Sequence, residues 1–172
     1  ERSAGNRVQY GGQSLVVKNL DTFDFTGVAI ALFSAGGSIS KKYAPIAVKS
    51  GAVVVDNSSA FRMDEDVPLV VPEINGADAL AHSGIVANPN CTAVIAAMAL
   101  YPLHKANPIK RVIASTYQAA SGAGAAAMEE LRASSEAYLQ GKPYEPKVLP
   151  HPYAFNVFSH NDKVDVESGY NG

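Results

Sequence analysis

Two short apolar runs separated by a helix-sized interval constrain this chain more than any other feature. Val28-Ala29-Ile30-Ala31-Leu32-Phe33 is continuously apolar, the pattern of a strand covered on both faces in a parallel sheet. It breaks at Ser34-Ala35-Gly36-Gly37-Ser38, where Ser38 is suited to cap a helix running to about Ser50, and Gly51 ends that helix. Val53-Val54-Val55-Asp56 reads as the next strand, followed by Asn57-Ser58-Ser59. Strand, helix and strand joined by small polar loops predict a βαβ unit, and hence an α/β chain built on a parallel sheet.

Ligands of open parallel sheets sit beyond the carboxyl ends of the strands. Three such ends are readable: Ser34 to Ser38, Asn57 to Ser59, and Asn88 to Cys91 after the strand-like Gly84-Ile85-Val86-Ala87. Their glycines and small side chains let backbone amides approach a phosphate or a flat ring. Together they predict a nucleotide-type crevice. No G-x-G-x-x-G fingerprint occurs in these residues, so a dinucleotide fold of this kind is expected to carry its first strand and glycine loop upstream of Glu1.

The third strand end holds Cys91, the only cysteine in 172 residues. The chain turns through Pro89 into a predicted helix, and a thiol at a helix start faces unpaired N–H groups and the positive end of the helix dipole. That is a setting for a nucleophile. The other reading is a small buried hydrophobe. The run from Ala93 to Leu103, interrupted only by Pro102, predicts a buried helix ending near His104 and is too short to span a membrane. A net charge of −2 offers no general attraction for nucleic acid or an anionic membrane, so neither is expected as a partner. A single cysteine excludes an internal disulfide framework and suits a reducing compartment.

The polar loop Arg2 to Arg7 reads either as a solvated basic turn or as a phosphate holder. Val8-Gln9-Tyr10, Gly11-Gly12 and Ser14-Leu15-Val16-Val17 predict a hairpin. Arg62, among Asp64, Glu65 and Asp66, is either a member of a surface ion pair or an anion clamp near the strand ends. Pro68 to Glu73 reads as an extended edge, Gly76 to His82 as a short helix, and Lys110 to Gln118 as a β-rich strand. A helix is expected from about Ala125 to Leu139, with Met128, Leu131 and Tyr138 on one side and Gly141 after it. Pro143 to Pro152 is a long connection, and Ala154 to Ser159 resumes an ordered segment. His82, His104, His151 and His160 have no metal-ligand spacing, so no metal is expected, and none of them stands out as a base for Cys91.

Four motifs carry a family resemblance: Phe33-Ser34-Ala35-Gly36-Gly37-Ser38, the run from Val55 through Asp56-Asn57-Ser58-Ser59 to Met63, Asn88-Pro89-Asn90-Cys91-Thr92, and the run from Ser115 through Tyr117-Gln118 to Gly124. In this order they resemble those of the aspartate-semialdehyde dehydrogenases, and the resemblance extends over essentially the whole chain. It implies NADPH-dependent reductive dephosphorylation of L-aspartyl 4-phosphate to the semialdehyde, on the way to lysine, threonine and methionine. Cys91 would be the nucleophile, and Gln118 would orient the thioester and contact substrate. Arg62 and Asn90 would hold the phosphate. Arg2 and Ser3 would meet the 2′-phosphate of NADP, while Ser34, Ala35, Gly36, Asn57, Ser121 and Gly122 would line the rest of the cofactor.

The resemblance also implies a Rossmann-type NADP-binding lobe over 1–90 and the beginning of an α+β catalytic and dimerisation lobe over 91–172. It further implies a homodimer or homotetramer and a cytoplasmic location, or a plastid one in a plant or alga. The family's catalytic histidine and further substrate-binding residues are expected after Gly172, so the 172 residues alone are expected to be inactive. N-acetyl-γ-glutamyl-phosphate reductase, which runs the same chemistry on a longer substrate, is the enzymatic alternative, and a non-catalytic nucleotide-binding module is the other.

Overall fold

The computed structural model describes residues 3–158 and 166–167. The chain divides into two compact units, Glu1–Val112 and Ile113–Gly172. The sequence reading puts a boundary between Asn90 and Cys91, whereas the Cys91 helix lies within the first unit.

The first unit opens with the expected hairpin. Strands β1 (Arg7–Tyr10) and β2 (Gln13–Val16) pair antiparallel from Arg7↔Val16 to Tyr10↔Gln13 around Gly11-Gly12. Arg7 is bound into this hairpin, its Nε donating to Ser14 Oγ at 2.8 Å and its Nη2 to Ser14 O at 3.0 Å. A parallel sheet follows in the order β3 (Ile30–Phe33), β4 (Val53–Asp56), β5 (Ile85–Ala87). Helix α1 (Gly37–Lys49) makes the crossover between β3 and β4. It begins after Gly36, not after a Ser38 cap: Gly36 has φ 98°, a left-handed value that a side chain would resist, and its conformation turns the strand into the helix.

The strand register sorts side chains between two faces. Phe33, Val54 and Ala87 are buried on the α1 side, where Tyr43, Ala44 and Ala47 meet them or their neighbours in one core with Phe25 and Ala52. Gly84, just before β5, lies so close to α1 that a Cβ there would come within 2.5 Å of Val48 Cγ1. The opposite face departs from the expectation of a strand covered on both sides: Ile30 is 64% and Leu32 80% exposed. An apolar run specifies a face able to be buried. It does not specify what covers that face.

Beyond β4, Leu69 bridges Ala87 in parallel, extending the sheet, and helix α2 (Pro72–Asn75) begins where a continuing extended edge was expected. The residues Gly76–Ala81 form a 3-10 helix, as expected of a short helix there. Helix α3 (Cys91–Ala106) has no buried residue, contrary to the buried helix that its apolar sequence suggests, and Ile95 is among its exposed positions. Among the described residues no helix is long and apolar enough to cross a membrane.

The second unit is built on helix α4 (Ala125–Leu139) and contains no strand among its described residues. The strand expected over Lys110–Gln118 is absent, and Ile113 (89%) and Tyr117 (86%) stand exposed. β-Branched composition does not make a strand without a neighbour to complete the hydrogen-bond ladder. The buried side of α4 is Ala127, Glu130 and Ser134, while Met128 and Tyr138 face outward. A polar requirement explains this departure from the apolar pattern. Glu130 accepts from three successive backbone N–H groups, those of Lys147 (2.6 Å), Val148 (2.7 Å) and Leu149 (2.8 Å), and so ties the proline-rich connection to the helix. Burial works to raise the Glu130 pKa, but the three N–H donors outweigh it and hold the carboxyl below its ordinary range. Ala154 to Phe158 is irregular, and Ser159 and His160 fall outside the described residues.

Candidate active site

Asp56 is the anchor of the first unit's strand-end loops. Its carboxylate is fully buried and accepts from Ser40 Oγ (2.6 Å) on α1, from Ser58 Oγ (2.7 Å) and from Ser58 N (3.1 Å). Its own carbonyl accepts from Asn88 N at 2.8 Å, while Asn57 N donates to Phe33 O at 2.8 Å. The loops after β3, β4 and β5 are thereby joined through the Asp56-Asn57 pair.

Side chains tighten the same junction. Asn57 Nδ2 donates to Ser34 Oγ at 3.3 Å, and Asn88 Nδ2 donates to Asn57 Oδ1 at 2.6 Å. Arg62 donates from Nε to Asn88 O (2.9 Å) and from Nη2 to Asn57 O (3.1 Å). Its hydrogen bonds therefore go to carbonyls of the strand-end loops and not to Asp64, Glu65 or Asp66. A guanidinium braced from one side in this way keeps N–H groups for an anion on the other.

Asn90 is the N-cap of α3, accepting from Thr92 N at 2.9 Å, and Cys91 is its first residue, exposed, with Sγ 4.0 Å from Thr92 Oγ1. An exposed thiol does not fit the reading of Cys91 as a small buried hydrophobe. Ser34, Asn57 and Arg62 are thus brought together at the strand ends, and Asn88 links them to the turn that leads into Cys91. Ala35 and Gly36 lie in the loop before α1, whose N-terminus has no side-chain cap. Ser3 belongs to the turn before β1, its carbonyl accepting from Asn6 N at 3.1 Å, and Arg2 lies outside the described residues.

The remaining candidates belong to the second unit. Gln118 lines a cleft of about 360 Å³ with Ser115, Thr116, Tyr153 and Asn156. Ser121 and Gly122 follow in the 3-10 turn Ala120–Ala123, with Gly122 N donating to Ala119 O at 3.1 Å. Tyr153 Oη donates to Gln118 O at 2.9 Å. The histidines are engaged otherwise: the Nδ1 atoms of His82 and His104 accept from Gly84 N and Ile109 N, and the His151 ring meets Phe158 edge-on.

Sequence reasoning missed Asp56, Ser40 and Ser58 as the loop anchor, Asn88 as the link to Arg62, and Tyr153 as the partner of Gln118. Asp56 had a local signal, since an Asp two residues before a Ser is an Asx-turn pattern. Ser58 shares that signal, whereas Ser40, Asn88 and Tyr153 had none, because their partners are distant in sequence.

Residues 1–82 match the family model described as "Semialdehyde dehydrogenase, NAD binding domain", and residues 100–170 match "Semialdehyde dehydrogenase, dimerisation domain". The chain is 52% identical over 163 residues to the aspartate-semialdehyde dehydrogenase of Synechocystis, covering 95% of this chain and 48% of the relative. It is 49% identical over 177 residues to that of Bacillus subtilis, covering 99% and 51%. The crystal structure of aspartate-semialdehyde dehydrogenase II from Vibrio cholerae complexed with ASA superposes with a TM-score of 0.91 at 42% identity, over 99% of this chain and 51% of that one. The chain thus spans about half the length of the relatives it matches. By both domain models, by identity along nearly its whole length and by fold, this chain belongs to the aspartate-semialdehyde dehydrogenase family.

Proposed function

We propose that the native protein bearing this sequence converts L-aspartyl 4-phosphate to L-aspartate 4-semialdehyde and phosphate through a Cys91 thioester, using NADPH, in the biosynthesis of lysine, threonine and methionine. The observation that carries this reading is Arg62, braced by the carbonyls of Asn57 and of Asn88, the latter residue lying three positions before the exposed Cys91 at a helix start. An anion clamp beside a thiol suits an acyl phosphate, whose carbonyl carbon is attacked while its phosphate leaves.

Cys91 Sγ forms the bond to the acyl carbon as the bond from that carbon to the phosphate oxygen breaks. Arg62 and Asn90 hold the departing phosphate, and the planar guanidinium matches two of its oxygens at once. Gln118 orients the thioester for reduction. The loops fit a dinucleotide: α1 starts without a side-chain cap, and nothing lies within 4 Å of a Cβ built on Gly36, so its first N–H groups can meet a phosphate. Ser34, Ala35, Gly36, Asn57, Ser121 and Gly122 would hold the cofactor, with Arg2 and Ser3 at the 2′-phosphate. When bound, NADPH supplies the hydride. The match to the dimerisation model supports a homodimer, and the 172 residues by themselves are expected to lack turnover.

The test is NADPH formation from the semialdehyde and phosphate by the full-length native protein. Turnover that prefers NADP to NAD and falls by about a thousandfold or more in Cys91→Ser is expected. Retained turnover in that variant, or a preference for N-acetyl-γ-glutamyl semialdehyde, would refute the assignment.

A further inference from the structure

We propose that Gly122 and Tyr153 are positioning residues for Gln118: the bare Cα of Gly122 leaves the space that the Gln118 amide occupies, and the Tyr153 hydroxyl holds the Gln118 main chain. The proposal deepens the assignment above, because it rests on Gln118 orienting the thioester.

A Cβ built on Gly122 would overlap Gln118 Nε2 and would lie 2.9 Å from its Cδ and 3.2 Å from its Cγ. Three successive atoms of one side chain thus pass over the glycine. Gly122 is outside the left-handed backbone region, so an alanine there meets no backbone strain. The obstacle is the far end of a flexible side chain, which can rotate away at little cost to the fold. The cost falls on where the amide points. At the other end of the residue, Tyr153 Oη donates to Gln118 O at 2.9 Å across 35 positions of sequence. One contact holds the backbone, and the other leaves room for the side chain where it lies. A glycine that serves only to admit cofactor would act on cofactor affinity, whereas one that seats Gln118 acts on the rate of the chemical step.

The experiment is a double-mutant cycle in the full-length native protein, with kcat and the KM for NADP measured separately for Gly122→Ala, Tyr153→Phe, Gln118→Ala and the two double variants carrying Gln118→Ala. We expect Gly122→Ala to lower kcat by about 10- to 100-fold, more than it raises the KM for NADP, with the thermal midpoint held, and Tyr153→Phe to lower kcat by about threefold. Neither change should add to the loss in Gln118→Ala. A raised KM for NADP at unchanged kcat, an effect additive with Gln118→Ala, or a Gly122→Ala protein that does not fold while Tyr153→Phe keeps full kcat would each overturn the proposal. Full kcat in Gln118→Ala itself would remove Gln118's assigned role, while Cys91→Ser would still report on the thioester reading.

Discussion

The described part of the first unit is built on paired strands, and that of the second on a helix with side-chain ties. In residues 1–112 every strand has a partner, the Val54 side chain is fully buried, and the loops after β3, β4 and β5 are cross-linked through Asp56, Asn57 and Asn88. In the described part of 113–172 the structure is one helix, a short 3-10 turn and irregular chain, with Ile113 and Tyr117 in the open. Its main tie is Glu130, one carboxylate serving three backbone donors. The first unit therefore holds the reactive groups of its site on a paired scaffold, whereas Gln118 in the second sits on irregular chain tied by the Tyr153 hydroxyl.

Four measurements would sharpen or break this contrast. If the paired scaffold carries the nucleophile, Cys91→Ser should reduce turnover of the full-length protein by about a thousandfold or more, well beyond the loss in Gln118→Ala. Equal losses would erase the distinction between the units. Next in size is Arg62→Lys, which keeps the charge but loses the fork braced on Asn57 O and Asn88 O. We expect the KM for phosphate to rise by about 10- to 100-fold with little change in the KM for NADP, and equal changes in both would refute the clamp.

Stability should separate the two faces of the sheet. Val54→Ala removes two methyl groups from a site of no exposure and should cost about 2 kcal/mol in urea unfolding, whereas Leu32→Ala, at 80% exposure, should change it by less than about 0.5 kcal/mol. A large Leu32→Ala effect in the 172-residue chain would mean that the open face is covered in solution.

The smallest effect belongs to the second unit. Glu130 is held below the ordinary glutamate value of 4.5, so its contribution is full above that pH and is lost as the pH falls through the lowered folded value. Glu130→Gln should cost about 1 kcal/mol at neutral pH and flatten the acid limb of the stability profile. An unchanged acid limb would mean that this carboxylate does not hold the connection.

Legibility in the sequence followed the range of the interactions. The β1–β2 hairpin, the cores of β3 and β4, the end of α1 at Gly51 and the whole extent of α4 were readable, because turns, caps and periodicity act over a few residues. The start of α1 was misplaced at Ser38 because two adjacent glycines compete with a serine for the turn, and the left-handed Gly36 decides it. The buried side of α4 was not readable from Met128, Leu131 and Tyr138 on one side of the helix, because the demand of three N–H groups at 147–149 selects Glu130. The strand at 110–118 was misread for a plainer reason: its residues suit a ladder, and the ladder's other rail is not among the described residues.

At the site, the nucleophile and the anion-binding side chain were nameable from residue type and order. Their support was not. The sequence by itself determined a βαβ core, a helix opening at Cys91 and the identity of the groups able to do acyl-phosphate chemistry, because these depend on local propensity and side-chain chemistry. Only the tertiary structure decided that Arg62 turns away from its neighbouring acids toward Asn57 and Asn88, that Asp56 is the buried anchor and that Cys91 is exposed. Hydrogen-bond partners far apart in sequence meet only after the strands have paired, and no propensity encodes that meeting.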